Sequence, residues 1–484
     1  MDERRQLFIG GEWIDSEASS SIDVIGASTE DVIGRVPDAV PADIDRAVAS
    51  ARAAFDGGEW SQLGPPARAG YLTALSQALQ RREKEITSTI TSENGSPIML
   101  CSMLQLLPTT MTLDYYADLA RNLEVEDRRD GMLGGVLVRR EPVGVVAAIV
   151  PWNVPLYTAA LKLGPALASG CTVVLKPSPE TALDAYLLAD ALIEIGLPPG
   201  VVNIVAADRE TSSYLVTHPG VDKVAFTGST AAGRTIAAAC GQLLRPVSLE
   251  LGGKSAAIVL DDADLSQVAD ALLPMGSMMF SGQACIAQTR VLAPQERYDD
   301  VVEALAEKIR ALPVGDPFDP GTVFGPLVSS RQRDRVESYI AVGQEEGAKV
   351  VVGGGRPAHL DRGWFVEPTV LANVDNNMRV AREEIFGPVV SVLPYRDTEE
   401  AISLANDSEF GLGGGVYSGD TSRALDVARR IQTGTITLNG IGLETCAPFG
   451  GVKQSGLGRE LGPEGLAAYF NLKSIMGLPP SSDS

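Results

Sequence analysis

The chain has 484 residues, 45% of them apolar and 21% charged, and a formal net charge of −22. That length exceeds the roughly 250–300 residues at which one hydrophobic core stops growing, so at least two domains are expected, and no apolar run approaches the ~18 residues of a membrane span. A field of that sign repels phosphate backbones and anionic lipid, and the basic residues are scattered, so neither nucleic acid nor membrane is an expected partner.

The opening residues are charged and then turn at Gly10-Gly11, without the apolar core of a signal peptide, which reads as a soluble, cytoplasmic protein. Residues 8–13 look like a hairpin, and helical spacing follows over 43–55 and 66–91, the second stretch opening with prolines suited to a first turn. From Val143 the pattern changes to short apolar runs alternating with helical segments: strands at 145–150, 172–175 and 201–205, helices at 156–168 and 183–195. The alternation resumes after Gly252-Gly253 with a strand at 256–260, a helix at 264–275, a strand at 289–292 and a helix at 298–312. Two α/β units built on parallel sheets are expected, with loops at 314–325 and 353–362.

Five segments carry candidate chemistry. Pro151-Trp152-Asn153-Val154-Pro155 ends the first apolar strand, and its prolines limit the backbone around Asn153, whose amide suits either an oxyanion or an Asx-type turn. Residues 223–234 run from a strand through Gly228 and Ser229 into a helix, a geometry that offers N–H groups to a phosphate. The full Gly-x-Gly-x-x-Gly pattern is missing, so a serine-capped turn fits as well. Glu250 lies between leucines with glycines behind it, a setting that raises a carboxyl pKa and suits a general base. Gly252-Gly253-Lys254-Ser255 is no P-loop, because the first glycine of that motif would fall on Ser248. Cys285 follows Gly282-Gln283-Ala284 in a loop after the apolar, helical-looking 275–280, where a substrate can reach it. The five cysteines contain no Cys-x-x-Cys pair, and His218 and His359 stand far apart, so neither a disulfide framework nor a metal site is expected.

Together these segments resemble the aldehyde dehydrogenase superfamily over nearly the whole chain, about 7–476. The family's motifs occur in order: Pro-Trp-Asn-Val-Pro at 151–155, Leu-Lys-Pro-Ser-Pro at 175–179, Phe-Thr-Gly-Ser-Thr at 226–230, Leu-Glu-Leu-Gly-Gly-Lys-Ser at 249–255 and Gly-Gln-Ala-Cys at 282–285. Glu-Glu-Ile-Phe-Gly-Pro at 383–388, Pro-Phe-Gly-Gly at 448–451 and Gly-Arg-Glu-Leu-Gly at 458–462 follow. The resemblance implies a Rossmann-like dinucleotide-binding domain (1–123 and 144–252), an α/β catalytic domain (253–455) and a small β oligomerisation arm (124–143 and 456–484).

It also implies an aldehyde oxidised to a carboxylic acid through a thiohemiacetal and thioester on Cys285, with Asn153 and the Cys285 N–H holding the oxyanion and Glu250 activating water. Glu460 matches a carboxylate assigned either to proton relay or to a salt bridge. Cofactor contacts are implied for Val150, Trp152, Lys176, Pro179, Phe226, Gly228, Ser229, Ala232, Leu251, Gly252, Glu384 and Phe386. NAD is the expected cofactor; Pro179 stands where many NAD-preferring relatives carry a glutamate, so measurable NADP use is expected too, with Arg209 as a candidate partner for its phosphate. The positions near the reacting carbon are Val154, Leu161, Met279, Ile286 and Phe449, all apolar, which implies an uncharged aliphatic or aromatic aldehyde. A homodimer or homotetramer is implied. A CoA-acylating enzyme, a non-catalytic relative and a thiol hydrolase are the alternatives, the first opposed by the presence of Glu250.

Overall fold

A computed structural model describes residues 2–479. Near its start, Gln6–Ile9 pairs antiparallel with Glu12–Asp15, and Gly10 and Gly11 close the hairpin at φ +69° and +85°. Two left-handed residues match the twist of the flanking strands, and glycine adopts them without strain.

The strands Val145–Ile149, Thr172–Lys176, Val202–Ile204, Lys223–Thr227 and Val247–Glu250 are parallel. The hairpin closes one edge of this sheet and the short strand Gly456–Leu457 closes the other, both antiparallel. All five residues of Val145–Ile149 are buried, because helices cover both faces of the sheet. The chain builds outward from Val145–Ile149 to one side, then crosses back and lays Lys223–Thr227 against its other side. That reversal opens a crevice beyond the carboxyl ends of these two strands, the place where doubly wound sheets bind ligands.

Over Pro155–Ser169 the helix is buried along its whole length, and it lies so close to the helix Leu107–Arg121 that a Cβ on Gly164 would sit 2.6 Å from the Tyr116 ring. The expected single helical stretch over 66–91 is two helices, Pro65–Arg81 and Glu83–Asn94, broken at Arg82, whose φ −96° and ψ 13° are not helical.

Leu251 to Ser255 carries the chain into a second sheet, in the order Lys349–Val352, Thr369–Ala372, Val389–Tyr395, Arg290–Pro294, Ala256–Val259, Gly414–Tyr417 and Thr437–Leu438. Every pair is parallel except the first. The helix expected over 264–275 stops earlier: Asp264 caps Leu265–Ala271, and Leu273 is extended. The helical reading of 275–280 is corrected as well, since Phe280 and Ser281 take φ +50° and +55° ahead of Gly282 at +74°. Three left-handed residues in a row throw the chain out of helix and into the cysteine loop. A Cβ on Gly282 would strike the Gly387 carbonyl, so the turn fits only because position 282 is glycine.

Glu126–Gly131, Gly134–Pro142 and Phe470–Leu478 form a separate antiparallel sheet, the arm. Its third strand starts later than the boundary expected at 456. Gly456–Leu457 belongs to the first sheet, and the helix Gly462–Ala467 packs on Pro155–Ser169. Residues 480–484 of the expected arm lie outside the described residues. Among the described residues no helix is long and apolar enough to cross a membrane.

Candidate active site

Cys285 projects from a loop that is fixed at several points. Gln283 donates from Nε2 to the Phe280 carbonyl (3.1 Å) and accepts from the Val328 N–H (3.0 Å), while the Asn153 amide donates to the Gln283 carbonyl (2.8 Å). Asn153 is held in turn by Asn94, at the end of the Glu83–Asn94 helix, whose Nδ2 donates to the Trp152 and Asn153 carbonyls at 3.1 and 3.0 Å. The cysteine loop, the Pro151–Pro155 turn and an N-terminal helix are therefore one connected unit. Behind the loop, a Cβ on Gly253 would collide with the Cys285 carbonyl. The thiol keeps some surface because it faces cavities, yet protein surrounds it, and desolvation with help from Glu384 and Glu250 pushes its pKa up to about 12.

Glu250 ends the strand Val247–Glu250 beside Thr227 of the neighbouring strand and is buried, with Oε2 accepting no hydrogen bond. Burial, then the nearby Glu460, raises its pKa well above the ordinary carboxylate range; Lys162 and Arg459 oppose the shift. Glu460 is itself buried and accepts from Lys162 Nζ at 2.7 Å, and the same ammonium donates to Thr227 Oγ1 at 2.6 Å. Of the two expectations for Glu460, the salt bridge is present within this chain, to the Pro155–Ser169 helix. Lys162 was not singled out in the sequence; its signal is the lone charge in an otherwise apolar helix.

Two cavities meet at this cluster. One, of about 320 Å³, is lined almost entirely by apolar side chains and reaches the surface at Met103, Leu107 and Met111. All five positions expected near the reacting carbon, Val154, Leu161, Met279, Ile286 and Phe449, line it. Its outer wall, supplied by residues 103–111 and by Ile441 and Leu443, was not anticipated; exposed Met99, Met103, Leu107 and Met111, four residues apart on a helical path, are the signal. The other cavity, of about 410 Å³, fills the crevice between the two sheets. Asn153, Thr227, Glu250 and Cys285 line both.

Of the residues implied to hold a cofactor, Trp152, Gly228, Ser229, Leu251, Gly252, Glu384 and Phe386 line the crevice, joined by Arg331, Gln332 and Arg335, which the sequence reading did not name. Trp152 and Phe386 meet edge to face with ring centroids 5.3 Å apart. Ser229 caps the Thr230–Gln242 helix by accepting from the Ala232 N–H. Glu384 accepts from the Gly253 N–H at 2.9 Å, and burial pushes its pKa up to about 7. A Cβ on Gly252 would lie 2.5 Å from Glu384 Oε2, so this glycine makes room for the carboxylate.

Val150 and Phe226 do not line the crevice; they are buried in the first domain's core. Lys176, Pro179 and Ala232 are likewise not among the residues lining the crevice, and Arg209 is the first residue of the Arg209–Thr217 helix. Lys176 is buried at its strand end, where desolvation lowers its pKa to about 8 against the pull of Glu180, Asp208 and Asp38.

Fold and site define a two-domain α/β enzyme with a free cysteine and a buried carboxylate where an interdomain crevice meets an apolar tunnel. The chain belongs to the aldehyde dehydrogenase family, which it matches over residues 13–475, and it oxidises aldehydes to carboxylic acids. It is 52% identical to a geranial dehydrogenase of Castellaniella defragrans over 98% of both chains. Among solved structures it resembles an aldehyde dehydrogenase of Mycobacterium tuberculosis complexed with NAD+, at 45% identity and a TM-score of 0.97 over the whole of both chains. It also resembles one of Pseudomonas syringae complexed with NAD+ and octanal, at 38% identity and a TM-score of 0.95 over 99% of this chain and 98% of that one.

Proposed function

We propose that this enzyme oxidises uncharged, medium-length aliphatic or isoprenoid aldehydes with NAD, and hydrolyses the resulting acyl-enzyme with water. The observation that carries the reading is the meeting of an apolar tunnel and an interdomain crevice at Asn153, Thr227, Glu250 and Cys285. The crevice suits a dinucleotide: it lies at the switch point of the sheet, Ser229 opens a helix whose N-terminus favours a pyrophosphate, and Glu384 offers a carboxylate oxygen to a ribose.

The Cys285 sulfur attacks the aldehyde carbon, and its thiol proton leaves through Glu250, the carboxylate that lines both cavities at this cluster. The Asn153 amide and the Cys285 N–H hold the oxygen of the adduct. NAD supplies the acceptor for the hydride whose loss turns the adduct into a thioester. Glu250 then takes a proton from water, the hydroxyl attacks the thioester, and the acid leaves as the thiol is restored. Glu460, paired with Lys162 and lining the tunnel with Glu250, is the group assigned here to pass that proton on.

Among the described residues, no charged side chain other than Glu250 and Glu460, which are assigned to the reaction, lines the tunnel, so it offers nothing to a cationic or anionic substrate tail. The likeness to a geranial dehydrogenase and to an octanal complex points the same way. The arm is read as the contact of a homodimer or homotetramer, and five free cysteines support a reducing, cytoplasmic setting.

The test is a panel scored by kcat/KM with NAD and no CoA: geranial, octanal, betaine aldehyde and succinate semialdehyde. Geranial and octanal are expected to lead by at least ~10-fold, about 1.4 kcal/mol of transition-state binding. Either charged aldehyde in front would overturn the substrate class, and a strict need for CoA would overturn hydrolysis.

A further inference from the structure

An ion pair joins a crevice-lining arginine to the turn beyond the second parallel strand. Arg331, in the first turn of the Ser330–Glu345 helix, lines the same cavity as Gly228 and Ser229, and its side chain is 81% exposed. Its Nη2 donates to Glu180 Oε1 at 2.9 Å. Glu180 lies in the Pro179–Thr181 turn just past the strand Thr172–Lys176, and its other oxygen accepts from Ser178 Oγ at 2.6 Å. In doubly wound sheets the acidic group beyond the second strand meets the adenosine ribose. Thr172–Lys176 is the second strand here, Pro179 has no group to offer, and Glu180 is the first carboxylate past the strand's end.

We infer that Glu180 and Arg331 jointly read the 2′ position of the adenosine ribose, Glu180 accepting from a 2′-hydroxyl and Arg331 leaving Glu180 to pair with a 2′-phosphate. The inference rests on the dinucleotide reading above and adds its determinant. An exposed ion pair is weak, so Arg331 gives up Glu180 at small cost, whereas a guanidinium and a phosphate make parallel charge-assisted hydrogen bonds. The carboxylate would then oppose the phosphate by charge while the arginine admits it, which gives NAD preference with real NADP use from one contact. Gln332 and Arg335 on the same helix do not share this role, because they are engaged with the carbonyls of Phe386, Ile385 and Glu384.

Calorimetric titration of the full-length protein with 5′-AMP and with adenosine 2′,5′-bisphosphate tests this independently of turnover. Arg331→Ala is expected to weaken the bisphosphate about tenfold with 5′-AMP nearly unchanged, the loss of one charge-assisted interaction. Glu180→Gln is expected to tighten the bisphosphate severalfold, the double variant to lose that gain, and Arg331→Lys to recover part of the affinity. The NADP-to-NAD ratio of kcat/KM should follow the same order. If the wild type reduces NAD but its bisphosphate affinity is indifferent to Arg331→Ala, the inference alone is overturned. A wild type that reduces neither dinucleotide overturns the dehydrogenase reading and this inference with it.

Discussion

A carboxylate that is to deprotonate water must first lose its own proton, and at Glu250 both burial and the neighbouring Glu460 resist that loss. Below its raised pKa the side chain is protonated and cannot act as a base, so hydrolysis of the acyl-enzyme weakens as pH falls and recovers as pH rises through that pKa. The acid limb of kcat should therefore lie above the ordinary carboxylate range. Glu250→Gln removes the base from both steps, slowing deprotonation of the thiol and blocking hydrolysis, while the hydride still leaves the adduct once it has formed. Single-turnover measurements on this variant should show NADH appear and then stall, with the steady-state rate down on the order of 10²- to 10⁴-fold and the acid limb gone. A steady-state rate equal to wild type would remove Glu250 from the mechanism. That Glu250, Cys285 and Asn153 come together is foreseen through the family resemblance; read singly, each is only a polar residue at a strand end or in a short loop, with a structural alternative open. Asn94 and Lys162 are not foreseen, since what makes them matter is contact with Trp152, Asn153 and Glu460, far away in the chain.

The elements around the cysteine are positioned by backbone contacts that tolerate no side chain. At Gly253, on the crossover between the sheets, a Cβ would collide with the carbonyl oxygen of Cys285, and backbone cannot swing aside as a side-chain tip can. Gly253→Ala must therefore move Cys285, the residue proposed as the nucleophile. A displacement near 1 Å costs on the order of 100-fold in rate, so kcat is expected to fall by about that factor while the far-ultraviolet circular dichroism stays native. Gly241→Ala is the control: nothing lies within 4 Å of its Cβ, so activity should hold and stability should rise by up to about 1 kcal/mol as backbone freedom leaves the unfolded chain. Full activity in Gly253→Ala would mean that the loop yields. The parallel strands are legible because continuous apolar runs bounded by turns have few other readings. The segment 275–280 misleads, since its composition suits a helix and nothing in it announces that Phe280 and Ser281 turn left-handed. That geometry is imposed from outside by the Gly387 backbone against Gly282.

At the scale of the whole molecule, the two parallel sheets follow from sequence alternation, whereas the arm is foreseen only through family resemblance, because its strands carry more charge than apolar pattern. In the folded arm both faces carry charge, Asp127, Arg129 and Arg140 lying on the face of Leu472 and Met476. Lys473, Arg139, Glu126 and Glu141 share a face through the strand register and pair with one another, whereas Leu472, Met476, Val136 and Val138 share the opposite face. Leu472 and Met476 are 71% and 77% exposed, and Phe470–Leu478 is an edge strand whose outer backbone groups have no strand beside them. A small three-stranded sheet with an open edge and exposed Leu472 and Met476 is marginal by itself in water and prone to pair, which supports the proposed contact with a second copy of the chain. Replacing Leu472 and Met476 together by Glu puts two like charges into that contact, where burial would cost several kcal/mol per unpaired ion. The variant is expected to drop to a smaller species by light scattering, at unchanged secondary structure, because neither residue packs into either domain core. Cys285 and Glu250 belong to the domains rather than to the arm, so the smaller species should keep measurable dehydrogenase activity. An unchanged molar mass would place the contact elsewhere, and a wild type that is already monomeric would leave Leu472 and Met476 without the partner proposed for them.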